Sequence, residues 1–262
     1  MLLTIDIGNT NITLGIYRRN RLLCTGRLVT DRCRSAEGYA KELKALLMDL
    51  AISPEALDGG IYSTVAPAAG EAFARAVKMV CGFSPLRLRR DMDLGIEIQY
   101  EDGCLGLDRI ADAVAARSRY PLPCVIIDMG TATTISVLDR TGAFIGGAIM
   151  AGLGTSLKAL LDGAPQLPPI PPRAAVKVMG GNTADCMKSG LVLGTATMLD
   201  GMIEKIREEL GERPAVVATG GFARETIVYC RQEVLLDEHL LLEGLRLLYN
   251  RNQGVSSARR PV

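Results

Sequence analysis

Two stretches of this chain follow one pattern. Residues 6–17 read DIGNTNITLGIY and residues 128–139 read DMGTATTISVLD. In each, an aspartate precedes a glycine by two positions, small hydroxyl or amide residues follow, and a β-rich run comes next. Each also follows an apolar stretch (Leu2, Leu3 and Ile5; Val125, Ile126 and Ile127) that reads as a buried strand. Repetition of this unit constrains the chain to two related halves, each with a hairpin whose turn faces a shared cleft. The expected class is a nucleotide-handling enzyme.

A glycine at each tip, Gly8 and Gly130, lets the backbone turn tightly and a ligand approach its N–H groups. Successive N–H groups, with Asn9, Thr10, Asn11 and Thr13 or with Thr131, Thr133 and Thr134, make a donor array suited to phosphate oxygens. The leading carboxylates Asp6 and Asp128 repel phosphate, so beside one they need a cation between, as hard oxygen ligands for magnesium or potassium. An aspartate two places before glycine is also ordinary turn chemistry; two copies, each after a buried strand, favour the phosphate reading.

Composition narrows the alternatives. At 262 residues the chain holds one large or two modest domains, with a core that needs no covalent staples. A formal charge of +1, with no basic segment, gives no reason to expect a nucleic-acid partner. The seven cysteines are scattered, odd in number and without a C-x-x-C pair, which argues against a disulfide framework. One histidine, His239, makes a zinc site or a Ser–His–Asp triad improbable. The N-terminus opens on a strand rather than a signal peptide, and no apolar run is long enough to span a bilayer. The expectation is a soluble cytoplasmic protein.

Organisation repeats as well. After the first hairpin, Arg21–Val29 continues the sheet. Ala36, Tyr39, Leu43, Leu46, Leu47 and Leu50 fall at helical spacing, ended by Ser53–Pro54. Residues 59–65 read as a buried strand and 71–80 as a short helix. The second half repeats the plan with a hairpin over 125–137, a third strand over 143–150, a helix from Ser156, a long helix near 183–210 and a strand over 215–219. Strand–helix alternation around three antiparallel strands describes a ribonuclease-H-like domain. The expected class is therefore α/β, two ribonuclease-H-like (actin-like ATPase) domains in tandem, each a mixed sheet flanked by helices, at residues 1–117 and 118–262. The stretch QLPPIPP at 166–172 reads as a stiff connecting loop.

Gly106-Leu107-Asp108-Arg109 precedes a run whose Ile110, Val114 and Ala115 mark one apolar face. Asp108 thus lies at the start of a helix, where two roles are open: an N-cap, or a general base for a substrate hydroxyl beside Arg109 as a bidentate anchor for an anionic group. Gly180-Gly181-Asn182-Thr183 opens a helix, presenting a hydroxyl to the cleft or capping the helix. Gly220–Gly221 after a strand would let a flat ring such as adenine lie on bare backbone, or would simply turn the chain into a helix.

DIGNT at 6–10, GLDR at 106–109, DMGTA at 128–132, GGAIMAG at 146–152, GGNT at 180–183, ATGG at 218–221 and LEGL at 242–245 follow one another across nearly the whole chain. Together they closely resemble the type III pantothenate kinases, the bacterial enzymes that begin coenzyme A synthesis. The resemblance implies an actin-like fold, a homodimer, and ATP-dependent phosphorylation of the primary hydroxyl of pantothenate with Mg2+ and a monovalent cation (K+ or NH4+). By position it implies ATP binding by Asp6, Ile7, Gly8, Asn9, Thr10, Asn11, Ile12 and Thr13 and by Thr131, with Asp128 on the monovalent cation. Asp108 would be the proton acceptor, and Tyr100, Gly106, Leu107, Asp108, Arg109 and Thr183 would line the pantothenate pocket, partly across the dimer interface. Two departures lie on the substrate side. The family's usual Asn-Pro pair after the pocket tyrosine is replaced in YEDGCLG (100–106), around Asp102–Gly103, and its proline in G-G-x-I-x-P-G is Ala151.

Overall fold

The computed structural model describes residues 1–100, 104–172 and 177–257, with side chains to Gln253. By its contacts the chain forms two units. Unit 1 holds residues 1–95, 102–115 and 240–262, and unit 2 holds residues 96–101 and 116–239. The expected boundary at 117/118 placed the C-terminus with the second half, whereas the last helix belongs with the first.

Unit 1 is built on a five-stranded sheet of β1 (Leu2–Ile7), β2 (Asn11–Arg18), β3 (Arg21–Val29), β4 (Gly59–Thr64) and β5 (Leu86–Arg87), in the order β3-β2-β1-β4-β5. The hairpin strands β1, β2 and β3 pair antiparallel, and β4 and β5 add on parallel to β1. Leu3, Ile5, Ile7, Ile12, Leu14 and Ile16 all face one side, where α1 (Ala36–Asp49) and α2 (Pro67–Cys81) cover them. Helix α1 starts at Ser35, whose side chain accepts the N–H of Gly38, and buries Ala36, Tyr39, Ala40, Leu43 and Leu47. A slip of one residue between β1 and β2 would turn Ile12, Leu14 and Ile16 away from this core. At about 1.5–3 kcal/mol for each buried side chain, the register of the first hairpin is firmly set.

The opposite face of the sheet takes helix α8 (Leu240–Ser257), which packs on β1 and β4 and sets Leu242 over Gly15. Thr4, Asp6 and Gly15 belong to this face by strand alternation. Helix α1 stops at Asp49, earlier than Ser53–Pro54, because Ala51 takes a left-handed conformation (φ 55°). Helix α2 starts four residues before Glu71, since Pro67 suits a first helical turn.

Unit 2 repeats the topology. Strands β6 (Cys124–Met129), β7 (Ala132–Leu138), β8 (Phe144–Ala151), β9 (Ala215–Thr219) and β10 (Leu235–Leu236) form a sheet in the order β10-β9-β6-β7-β8, with the same senses. Val125, Ile127, Met129, Ile135 and Val137 pack against α6 (Gly194–Leu210) and α7 (Ala223–Ile227). A smaller apolar cluster joins α4 (Leu153–Gly163), α5 (Thr183–Lys188) and Ile170 of the proline-rich loop. The long helix expected over 183–210 is interrupted by a π-helical turn at Ser189–Leu193. Helix α3 (Leu107–Arg119) is shared between the two units at residues 115 and 116. Among the described residues, no helix is long and apolar enough to cross a membrane.

Candidate active site

Both repeated aspartates end up at one structural position, the penultimate residue of the first hairpin strand. Asp6 is paired with Thr13 across β2 and with Ser63 across β4; Asp128 is paired with Thr134 across β7 and with Thr219 across β9. The turns differ in length. Ile7 pairs with Ile12 but Met129 pairs with Thr133, so the second turn is one residue shorter and the ungapped match of the two sequences breaks there. The tip glycines also act differently from expectation. The N–H of Gly8 donates to the carbonyl of Asn11 (2.9 Å) and that of Gly130 to Ala132 (3.0 Å), so both close their own turns. The N–H groups of both glycines are thus already used within the turns. Within 6–13, Ile7 and Ile12 are fully buried in the core and set the loop's register, while Asn9 and Thr10 stand exposed at its tip.

The first loop is braced from Thr30, the residue after β3. The hydroxyl of Thr30 donates to the carbonyl of Gly8 (2.9 Å), and its N–H donates to the carbonyl of Thr10 (3.0 Å). The second is braced from α4: the carbonyl of Thr131 accepts the N–H of Gly152 (3.1 Å) and the hydroxyl of Thr155 (2.7 Å). Thr131 itself is exposed.

The electrostatics of Asp6 are strongly perturbed. Enclosure of its carboxylate by protein pushes its pKa up to about 6; the hydroxyl of Ser63, donating to Oδ1 at 2.9 Å, opposes that rise, and the negative charge of Asp108 adds to it. Asp6, Ser63 and Asp108 thus share one neighbourhood of unit 1. Ser63 is 1% exposed, so its hydroxyl is dedicated to Asp6.

Asp108 is the second residue of α3, not its N-cap. Its Oδ1 accepts the N–H of Arg109 (2.8 Å), one of the helix's otherwise unbonded first donors. A Cβ on Gly106 would lie 2.4 Å from that same oxygen, so a side chain there would force the carboxylate to shift. Arg109 is 6% exposed. In unit 2, Tyr100 is half-buried edge-on to Phe144, with ring centroids 6.0 Å apart. Thr183 is exposed at the first position of α5, and Asn182 is the residue that caps it, accepting the N–H of Asp185 at 2.9 Å. Gly220 holds φ at +92°, and a Cβ there would come within 2.5 Å of Asp128 Oδ1 and 2.6 Å of the Met129 N–H nitrogen. The second half of ATGG is thus a backbone fitted against the loop aspartate. Asp102 and Gly103 lie outside the described residues.

Sequence reading missed Ser63 and Thr219. Both are hydroxyl residues in strands, and their signal is the duplication itself: each sits opposite a loop aspartate in the same parallel pairing. Among the described residues, no three His, Cys, Asp or Glu side chains gather as a preformed metal cage.

Tandem mixed sheets of this topology, each leading an aspartate into a hairpin turn, define the actin-like ATPase fold. Solved structures share it. A Baf-family transcriptional activator from Campylobacter jejuni is similar over 96% of this chain and 99% of its own (TM-score 0.62, 19% identity). The activator of 2-hydroxyisocaproyl-CoA dehydratase from Clostridium difficile is similar over 100% and 98% (TM-score 0.58, 12% identity). The sequence is more specific. The family model of the type III pantothenate kinases matches residues 2–205. Type III pantothenate kinases from Dehalococcoides mccartyi (37% identity, 96% of this chain and 98% of theirs) and Roseiflexus castenholzii (38%, 97% and 100%) are similar over essentially full length. The chain belongs to the type III pantothenate kinase family.

Proposed function

We infer that the chain transfers the γ-phosphoryl group of ATP to the primary hydroxyl of pantothenate, giving 4′-phosphopantothenate and ADP, the first step of coenzyme A biosynthesis. The observation that carries this reading is the neighbourhood of Asp6, on the first phosphate loop, and Asp108, at the head of α3. It brings a candidate base to the loop that would hold the transferring group. The pantothenate oxygen forms the new bond to the γ-phosphorus as the bond to the bridging oxygen of ADP breaks, and Asp108 accepts the hydroxyl proton. Arg109 pairs with the pantothenate carboxylate, and Tyr100, Gly106, Leu107 and Thr183 line the rest of the substrate pocket. Loop 6–13 and Thr131 hold the ATP phosphates. Most of the acceleration comes from alignment and charge neutralisation, as in phosphoryl transfer generally.

The residues present suit cations. Asp6 is a carboxylate whose surroundings disfavour a bare negative charge, which a divalent ion would relieve. Mg2+ keeps several of its waters and binds through one or two carboxylates and phosphate oxygens, so Asp6 with the ATP phosphates would suffice to hold it. Mg2+ held at Asp6 would neutralise phosphate charge. Asp128, set against the bare backbone of Gly220, would hold K+ or NH4+. Homodimerisation is part of the same reading, and the exposed Ile149, Val178 and Met179 of unit 2 offer apolar surface for it; light scattering on the purified protein measures it.

The test is ADP release with ATP, Mg2+ and pantothenate, run in potassium and again in sodium. Pantothenate-dependent turnover stimulated by potassium supports substrate and cation together. Turnover on a sugar or acetate, or none with pantothenate in either salt, refutes the assignment.

A further inference from the structure

The segment after β3 places an arginine at the tip of the first phosphate loop. Arg32 Nη2 donates to Asn9 Oδ1 at 2.8 Å, and Arg32 is exposed. An exposed arginine is ordinarily a mobile, solvated side chain; the backbone beneath this one is fixed on both sides. Before it, Thr30 makes the two hydrogen bonds that brace Gly8 and Thr10. Beside it, Asp31 is joined through its N–H and its carbonyl to the hydroxyl of Tyr39, each at 2.8 Å, and Tyr39 is fully buried. After it, the N–H of Cys33 donates to Asp31 Oδ1 (2.9 Å).

Charge sets Arg32 apart from its neighbour. Arg34 is paired with Glu42 and Asp31. Among the described residues no carboxylate is paired with Arg32, whose partner is the neutral amide of Asn9. A guanidinium has five N–H donors in a planar fork. With one donor spent on an amide, Arg32 keeps its full positive charge and the remaining donors at the loop tip. A dianionic phosphate oxygen cluster is the chemistry that such a fork fits best.

We propose that Arg32 binds the terminal phosphate of ATP and stabilises the charge on the transferring phosphoryl group. The proposal rests on the reading of loop 6–13 as the ATP-phosphate loop. An arginine supplied from the same chain acts in this way in other phosphoryl-transfer sites, where it contributes several orders of magnitude to turnover. Tethering to Asn9 would let Arg32 report whether the terminal phosphate is present. ATP would be held more tightly than ADP, and product would leave once the group had moved.

The experiment compares wild type with Arg32→Gln, Arg32→Ala and Arg32→Lys. Glutamine keeps an N–H donor for Asn9 while removing the charge, so it separates charge from loop support. Calorimetry measures binding of the non-hydrolysable β,γ-methylene ATP and of ADP, both with Mg2+, and steady-state assays give kcat and both KM values. Expected for Arg32→Gln and Arg32→Ala are an about tenfold or greater loss of affinity for the ATP analogue, ADP affinity within about twofold, and an about 100-fold fall in kcat, with Arg32→Lys between them and wild type. Equal weakening of both nucleotides would make Arg32 a support of the loop alone, and a rise confined to the pantothenate KM would place it on the other substrate; either result overturns the proposal. So does a glutamine variant that behaves as wild type. If wild type itself binds neither nucleotide, the phosphate-loop reading fails first, which the same calorimetry shows.

Discussion

Replacement of Asp6 by asparagine separates folding from function. Asp6 has a pKa of about 6 in the folded protein against 3.8 for the ordinary carboxylate. Its folded pKa is raised, so the stability it contributes is complete below 3.8 and is lost as the pH rises through 6. The ionised carboxylate therefore costs the native state free energy at neutral pH and above. A shift of about 2 pH units at about 1.4 kcal/mol each gives a cost of about 3 kcal/mol at pH 8, about half of that near pH 5, and little at pH 4. Asparagine keeps an acceptor for the 2.9 Å bond from Ser63 while removing the charge. Asp6→Asn is thus expected to be more stable than wild type in EDTA and without nucleotide, by up to about 3 kcal/mol at pH 8, a shift of about 1 M in the urea midpoint. The gain should shrink steadily between pH 6 and pH 4. Phosphorylation of pantothenate by the same variant should be lost. An unchanged midpoint at pH 8, or a gain equal at pH 8 and pH 4, would refute the placement of an unfavourable charge at this position.

Asp108→Asn is expected to bind ATP as wild type does and to lose about 10²–10⁴-fold in kcat, the range for a positioned general base; near-normal turnover would remove Asp108 from that role. Ser63→Ala leaves the Asp6 carboxylate without its hydroxyl donor, so the Mg2+ concentration for half-maximal activity should rise, and Ser63→Thr should restore it, as unit 2 carries Thr219 at the equivalent register. Asp128→Ala should abolish the difference between potassium and sodium in the turnover assay; a variant stimulated by potassium as before would place the cation elsewhere. Gly220→Ala must hold a side chain at φ +92° and against Asp128 Oδ1, so a loss of at least about 1–3 kcal/mol is expected in denaturant titration together with loss of cation stimulation.

The parts of this fold legible in the sequence were those that repeat at short range. The two hairpins announce themselves because apolar strand, aspartate, glycine and hydroxyl residues are contiguous, and α1 because Ala36, Tyr39, Leu43 and Leu47 keep a helical period. The position of α8 was not legible. Leu240, Leu242, Leu245 and Leu248 mark a buried face, but the pattern is the same whichever sheet receives it, and it is Gly15, more than two hundred residues earlier, that offers the space Leu242 fills. The π-helical turn at Ser189–Leu193 leaves no signature in a run that is otherwise helical in composition. The site shows the same division. Asp6, Asp128 and Gly106–Arg109 lie in recognisable motifs, whereas Ser63 and Arg32 are ordinary residues until strand register and loop bracing bring them to the aspartate and to Asn9. Duplication supplies what local pattern cannot. Once Asp6 and Asp128 are matched, parallel pairing fixes the residue opposite each, and the hydroxyls of Ser63 and Thr219 fall at that one place. Ser63 shows what a neutral donor at that place does: its hydroxyl holds the Asp6 carboxylate in orientation at 2.9 Å while leaving the charge for a cation to balance.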